Sequence, residues 1–270
     1  VRSWLKELDE TTGRVHGYVK PNGAVTGRMT HSHPNMAQIP SSSSPFGKER
    51  RSCWIVPTGY KLVGIDASGL ELRMLAHYLN DEGYTNEILN GDSHTTNQHH
   101  AGLQSRDQAK TFSYALLYGA GDAQLRTVAG RGREAGKRRR QSFFDNLPSF
   151  KTLTRSVQRE AKGGFIKGLD GRKLTVRHQH AALNTLLQGA GSIVMKQAAI
   201  LLDAEIKLKG YDAKFVANVH DEWQIECKAS DAEDVGIAGV EAIKEAGKVL
   251  NLNCPLNGDY NVGDSWSKTH

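Results

Sequence analysis

The apolar run Leu62-Val63-Gly64-Ile65 stops at a carboxylate, Asp66, and the same event recurs far along the chain. There, Phe215-Val216-Ala217-Asn218-Val219 leads through His220 into Asp221. Between these two strand-like segments, residues 80–165 read mainly as helix. Sheet segments toward both ends must therefore close around a helical block. That pattern suggests an α+β body with a helical insertion.

Alone, a strand-end aspartate reads as a turn or cap residue. Two such residues mean more if strands 60–65 and 214–219 are neighbours, because both carboxylates then converge at one sheet edge. Close carboxylates repel unless a cation or a proton lies between them. Hard oxygen donors select Mg²⁺, which takes one or two carboxylates and completes its shell with water and phosphate oxygens. Two ions about 4 Å apart can clamp the attacking and leaving oxygens of an in-line phosphoryl transfer.

The bulk properties permit this chemistry without identifying it. The chain has 270 residues, 38% hydrophobic and 24% charged, enough for one large or two modest domains with real cores. Its net charge of +6 favours an acidic partner. Cys53, Cys227 and Cys254 form no CxxC pair and suit a reducing compartment. No apolar run is expected to reach membrane-spanning length, and no signal peptide is visible. The first residue is Val1, which reads as a fragment or a processed product.

Along the chain, residues 3–9 read as the end of a helix, and residues 14–29 as a hairpin around Pro21-Asn22-Gly23. Residues 30–52, with three prolines and a serine run, read as loop. A strand over 60–65 and a helix over about 69–79 follow. "SRDQAKTFSYALLYG" is the clearest helix, with a Ser105/Gln108 capping box and a stop at Gly119. "FIKGLDGRKLTVR" is a hairpin turning at Asp170-Gly171, and residues 180–210 a long helix or helix pair. Strands 214–219 and 223–227, a helix over about 230–248 and an irregular tail complete the reading.

The helix after Ser105 carries the second chemical signal. At 100° per residue, Arg106, Lys110, Tyr114 and Tyr118 fall within one arc of about 120°. Ala109, Phe112, Ala115 and Leu116 fill the opposite arc. One face packs; the other offers two cations suited to a triphosphate, then two rings suited to a base or sugar. A solvated basic face with two snorkelling tyrosines gives the same pattern. Asn184 and Gln188, one helical turn apart, suit the minor-groove acceptors common to all base pairs, or are an ordinary amide pair. The basic stretch 130–141 reads as a solvated or phosphate-facing helix surface. His94, His99 and His100 lack the second cluster that a zinc site needs. Gly119-Ala120-Gly121 is a helix stop, since no GxxxxGK[ST] loop occurs.

Six segments in order, "TGRMTHSHPNMAQIP", "DASGLELRMLAHY", "GDSHTTNQ", "RDQAKTFSYALLYGAG", "HAALNTLLQGAG" and "VHDE", together resemble the A family of DNA polymerases, most closely those of short-tailed bacteriophages. The resemblance runs from about Val15 onward. It implies a right-hand fold, with palm over residues 1–78 and 181–270 (an antiparallel sheet backed by helices) and helical fingers over 79–180. It also implies DNA-templated nucleotidyl transfer from dNTPs to a primer, with two Mg²⁺ ions.

By position, the resemblance makes Asp66, Asp221 and the Ala67 carbonyl the metal ligands, with Glu222 in a supporting catalytic role. Lys110 contacts the phosphates and protonates pyrophosphate, and Arg106 and His94 hold the phosphates. Tyr114 packs on the incoming sugar and base, Glu71 closes the space of a 2′-OH, and Tyr118 stacks near the templating base. Arg28, Asn184 and Gln188 contact the primer-template minor groove, and His220 lies near the primer end. The family places a thumb, and usually an exonuclease domain, before the first hairpin. Neither is expected in this chain, and "LDETTG" at 8–13 lacks the spacing and preceding strand of an exonuclease motif. Partners implied are primer-template DNA and an N-terminal thumb or exonuclease portion, with no membrane, in the cytoplasm of an infected bacterium. A single-subunit RNA polymerase relative and a non-catalytic primer-template-binding fragment remain alternatives. Glu71 and the Lys110-Tyr114 pattern favour DNA, and the lack of a YxDD tetrad disfavours reverse transcriptase.

Overall fold

The computed structural model describes residues 2–121, 125 and 133–269, leaving aside the side chains of Arg2, Ser93, His94 and Arg133. The chain forms two compact units. The first comprises Val1–Leu70, Gly191–Asn251 and Leu256–His270, and the second Glu71–Ala190 and Leu252–Pro255.

The first unit opens with helix α1 (Arg2–Leu5), strands β1 (Leu8–Asp9), β2 (Arg14–Val15), β3 (Tyr18–Lys20) and β4 (Thr30–Ser32), helix α2 (Gly47–Ser52) and strand β5 (Tyr60–Ala67). The second unit takes most of α3 (Leu70–Leu79), then α4 (Glu82–Asn90), α5 (Ser93–Ala101), α6 (Arg106–Leu117), α7 (Arg133–Asn146), α8 (Pro148–Glu160) and the hairpin β6 (Phe165–Lys167) and β7 (Lys173–Thr175). Helix α9 (Ala182–Lys209) begins in the second unit and ends in the first. The first unit then adds β8 (Ala213–Val219), β9 (Glu222–Lys228), α10 (Ala232–Val249) and β10 (Gly258–Gly263).

Its main sheet is antiparallel, in the order β10-β5-β9-β8. Alternation along β5 and β9 sends Val63, Ile65, Ala67, Trp223, Ile225 and Cys227 to one face, where all are at most 2% exposed. Helix α10 covers that face. Each large apolar side chain buried there contributes about 1.5–3 kcal/mol. The opposite face carries Leu62, Gly64 and Asp66 beside Glu226, Gln224 and Glu222, in register. There Leu62 packs with Ile39 and Trp266, joined by Trp4, Trp54 and Val56.

In the second unit, Phe143 meets Phe150 edge to face at 5.2 Å and lies 6.2 Å from Phe112. Val157, Ile166, Leu174, Val176 and Leu186 form another cluster. Ser105 caps α6 by accepting from the Gln108 amide, as expected. Gly119 ends the element at φ +77, and a Cβ there would collide with the His180 carbonyl oxygen. Gly119→Ala is therefore expected to destabilise the protein by roughly 1–3 kcal/mol, measured by urea denaturation of the purified chain; an unchanged midpoint would contradict this packing.

Several expectations are corrected. β5 pairs with β9, not with the strand 213–219, because the returning arm of the β8–β9 hairpin inserts between them. The tail is not irregular: Gly258–Gly263 forms an edge strand on β5. The first hairpin keeps its turn at Gly23, but its second strand is Thr30–Ser32. Residues 24–28 are instead a tight turn closed by the Ala24 amide donating to the Arg28 carbonyl at 3.2 Å. Leu8–Asp9 is strand, and Gly47–Ser52 is helix with Arg51 buried. Finally, one helix among the described residues, Gln179–Lys209, is long and apolar enough to cross a membrane, contrary to expectation. Of its most apolar window, 67% is buried within the protein, as in a core helix.

Candidate active site

The two aspartates meet at one end of the sheet. β8 and β9 are joined by the two-residue turn His220-Asp221, since Val219 pairs with Glu222. His220 takes φ +60, an uncommon backbone state that histidine tolerates better than branched residues do. The Ala67 amide donates to the Asp221 carbonyl at 3.0 Å, so β5 and the turn are stitched together where their carboxylates emerge. Asp66 stands opposite Glu222 on one side and opposite Asp259 of β10 on the other. Asp66 is exposed and Asp221 half-buried.

Glu222, by contrast, is 4% exposed. Its Oε1 accepts from Trp266 Nε1 at 2.5 Å and Gln224 Nε2 at 2.6 Å, while Arg51 Nη1 lies 3.9 Å from Oε2. Arg51 also lies over the Trp266 ring, 4.7 Å from its centroid. Asp259, which sequence reasoning missed, accepts from Ser68 Oγ at 2.7 Å.

His220 lies near Arg28 and His31. Desolvation by its surroundings and the Arg28 charge hold its pKa below the usual value. The His31 ring meets the Asn218 carbonyl through Nε2 at 2.8 Å, and burial lowers its pKa as well. The turn preceding Arg28 is held by Lys196 of α9, whose Nζ donates to the Gly27 carbonyl at 2.7 Å and to Asn22 Oδ1. Sequence reasoning missed Lys196 too.

The second unit displays the α6 face. Lys110 and Tyr118 are exposed and Tyr114 half-buried, with Phe112 and Ala109 buried behind. The rings of Tyr114 and Tyr118 are 6.2 Å apart, tilted by 31°. Tyr118 Oη donates to Glu71 Oε2 at 3.2 Å, so Glu71 and the tyrosine pair form one cluster. Arg106 is gripped by Asp92, through Nε at 2.5 Å and Nη2 at 3.2 Å, which raises its pKa. Thr95 Oγ1 also donates to Asp92, at 2.8 Å. His94 lies on α5, but its side chain is outside the described residues. Asn184 and Gln188 are half-buried, flanked by buried residues of α9.

Among the described residues no cluster of three or more His, Cys, Asp or Glu side chains suits a metal. The donor set at the turn is smaller: two carboxylates and the Ala67 carbonyl, all hard oxygens. That set fits Mg²⁺, which leaves part of its shell to water and substrate.

The family model for DNA polymerase family A matches residues 1–268. The DNA-directed DNA polymerases of Enterobacteria phage T3 and Escherichia phage T7 are each 41% identical over 302 residues, covering 100% of this chain and 43% of theirs. DNA polymerase I of Aquifex aeolicus is 32% identical over 98% of this chain and 48% of its own length. The chain thus spans less than half the length of these relatives. A solved structure, the POL domain of Pol1 from M. smegmatis in complex with DNA primer-template and dNTP, superposes with a TM-score of 0.90 at 25% identity, over 99% of this chain and 50% of that one. The fold is accordingly a polymerase palm with an inserted helical subdomain, and the chain belongs to DNA polymerase family A.

Proposed function

We propose that this chain is the core of a DNA-templated DNA polymerase that transfers a nucleotide from a dNTP to a primer 3′-OH. The observation that carries the reading is the junction at which the Ala67–Asp221 hydrogen bond brings Asp66 and Asp221 to one sheet end. In this reading residues 1–78 and 181–270 act as palm and 79–180 as fingers. The compact units themselves divide at Leu70/Glu71 and Ala190/Gly191.

Asp66, Asp221 and the Ala67 carbonyl would hold two Mg²⁺ ions, which supply charge neutralisation at the phosphates and acidify the primer hydroxyl. The chain's own residues do the rest. Lys110 holds the phosphates and gives a proton to the departing pyrophosphate. Arg106 and His94 steady the same phosphates, and Tyr114 packs against the sugar and base. Tyr118 stacks near the templating base. Arg28, Asn184 and Gln188 contact the minor groove, and His220 lies by the primer end. Glu222 supports the turn.

The partners proposed are primer-template DNA, dNTPs and the N-terminal portion that the longer relatives possess, in the cytoplasm of an infected bacterium. Affinity for DNA grows with the number of phosphates neutralised. Primer extension with Mg²⁺ and dNTPs, by the chain alone and with that portion supplied, tests the reading. Weak, distributive extension at low salt is expected alone, with tighter binding once the portion is added. Tight primer-template binding without extension in both settings would leave a binding fragment instead.

Sugar choice gives a finer test. Tyr114 offers a hydroxyl near the place of a missing 3′-OH, so ready dideoxynucleotide use is expected. Tyr114→Phe should sharpen discrimination against dideoxynucleotides, read as the ratio of kcat/KM values. Glu71→Ala, which also removes the acceptor of the Tyr118 hydrogen bond, should relax rejection of ribonucleotides. Two unchanged ratios would remove both residues from the sugar site.

A further inference from the structure

The segment Trp266–Thr269 touches β5, which carries Asp66, and β9, which begins directly after Asp221. Over β9, Trp266 Nε1 donates to Glu222, the residue after Asp221, and Thr269 Oγ1 donates to Gln224 Oε1 at 2.7 Å. Gln224 in turn donates to the same Glu222 oxygen. Over β5, a Cβ on Gly64, two residues before Asp66, would collide with the Thr269 carbonyl oxygen. The segment is itself anchored: the Trp266 amide donates to the Trp54 carbonyl at 3.0 Å, and Ser265 bridges Ile55. Trp266 and Thr269 are 2% and 3% exposed.

Burying a carboxylate costs several kcal/mol unless donors and a counter-charge surround it. Here the donors come from Trp266 and Gln224 and the charge from Arg51, all on groups that cannot shift without disturbing the core. We propose that Trp266, Gln224 and Thr269 are positioning residues: they fix the Glu222 carboxylate in the interior, and thereby fix the His220-Asp221 turn against β5, so that Asp66 and Asp221 are set for metal. Glu222 then acts through the turn and not as a ligand. This rests on the metal role proposed above for the two aspartates.

Outer partners of a metal site commonly govern affinity by 10–100-fold. The test uses the full chain and Mn²⁺ alone as probe, with free Mn²⁺ followed by electron paramagnetic resonance and melting temperature measured beside it. Asp66→Asn reports on the metal reading itself. If it leaves Mn²⁺ affinity unchanged, that reading fails. Given that it weakens affinity, Trp266→Phe and Glu222→Gln should each raise the Mn²⁺ Kd by about tenfold. The double variant should be little worse than either, because both break one linkage. Thr269→Val, which keeps shape and loses the O–H, should shift Kd in the same direction by less. The proposal is overturned if Trp266→Phe and Thr269→Val lower the melting temperature yet leave the Mn²⁺ Kd of the folded protein unchanged. It is also overturned if Glu222→Gln weakens Mn²⁺ binding while Trp266→Phe and Thr269→Val leave it unchanged, which would make Glu222 a direct ligand.

Discussion

Asp66→Asn and Asp221→Asn are each expected to abolish primer extension while sparing primer-template binding. Each substitution keeps the side chain's size and replaces an anionic oxygen by an amide nitrogen, which cannot ligate a hard cation. Metal stabilisation of the transition state is worth several kcal/mol, and each 1.36 kcal/mol is tenfold in rate, so a loss of about a thousandfold or more in kcat is expected. DNA affinity depends mainly on phosphate contacts made by cations elsewhere, so gel-shift affinity should change little or rise slightly as an anionic charge is removed. The Ala67–Asp221 stitch uses backbone atoms, so neither substitution removes it. Single-turnover extension measures the effect. Near-parental rates in either variant, in an assembly competent for extension, would sink the assignment.

The next largest effect is expected at Lys110. Arg106 is already committed to Asp92, whereas Lys110, one turn further along α6, is exposed. Two roles are proposed for Lys110, and two substitutions separate them. Lys110→Met loses both the charge and the acid. Lys110→Arg keeps a cation for the phosphates but cannot give up a proton, because a guanidinium stays protonated throughout the working range. General acid catalysis contributes about 10²–10⁴-fold. Lys110→Arg should therefore lower kcat by about 10²-fold or more, at nearly constant nucleotide KM. Lys110→Met should lower kcat at least as far and raise KM too. If Lys110→Arg extends primers at the parent rate, Lys110 holds phosphates and donates no proton.

Much of this site could be read from residue order alone, for identifiable reasons. The β5 strand and the α6 helix have strong periodicity, and the Ser105 cap lies three residues from its partner, so local pattern sufficed. The meeting of Asp66 and Asp221 was also legible, but its route was not. Convergence was argued on the condition that 60–65 and 214–219 are neighbours, whereas 222–228 lies between them. A signal was available: Glu222, Gln224 and Glu226 alternate with Trp223, Ile225 and Cys227, and a strand with two such distinct faces belongs inside a sheet. β10 was missed because Gly258, Asp259, Asn261 and Gly263 are poor strand formers that survive only at an edge. Asp92, Lys196 and the Glu222 network escaped for a different reason. Lys196 and Trp266 find their partners in distant segments, 169 and 44 residues away, and Asp92 takes Arg106 from α6, so nothing local marks a lysine that will clamp a turn or a tryptophan that will hold a carboxylate.

The strand order β10-β5-β9-β8 also dictates when the site can exist during synthesis. β5 is made before the helical stretch 71–190, but both of its neighbours, β9 and β10, are translated only after that stretch. Until residue 263 has emerged, β5 has at least one open edge, and until residue 249 its apolar face also awaits α10. Such long-range pairing is slow, and unpaired edges invite aggregation. The helical unit, built from contacts closer in sequence, can order first. A chain halted before β9 therefore carries Asp66 without the turn that brings Asp221 beside it, so the two carboxylates come together only late in synthesis.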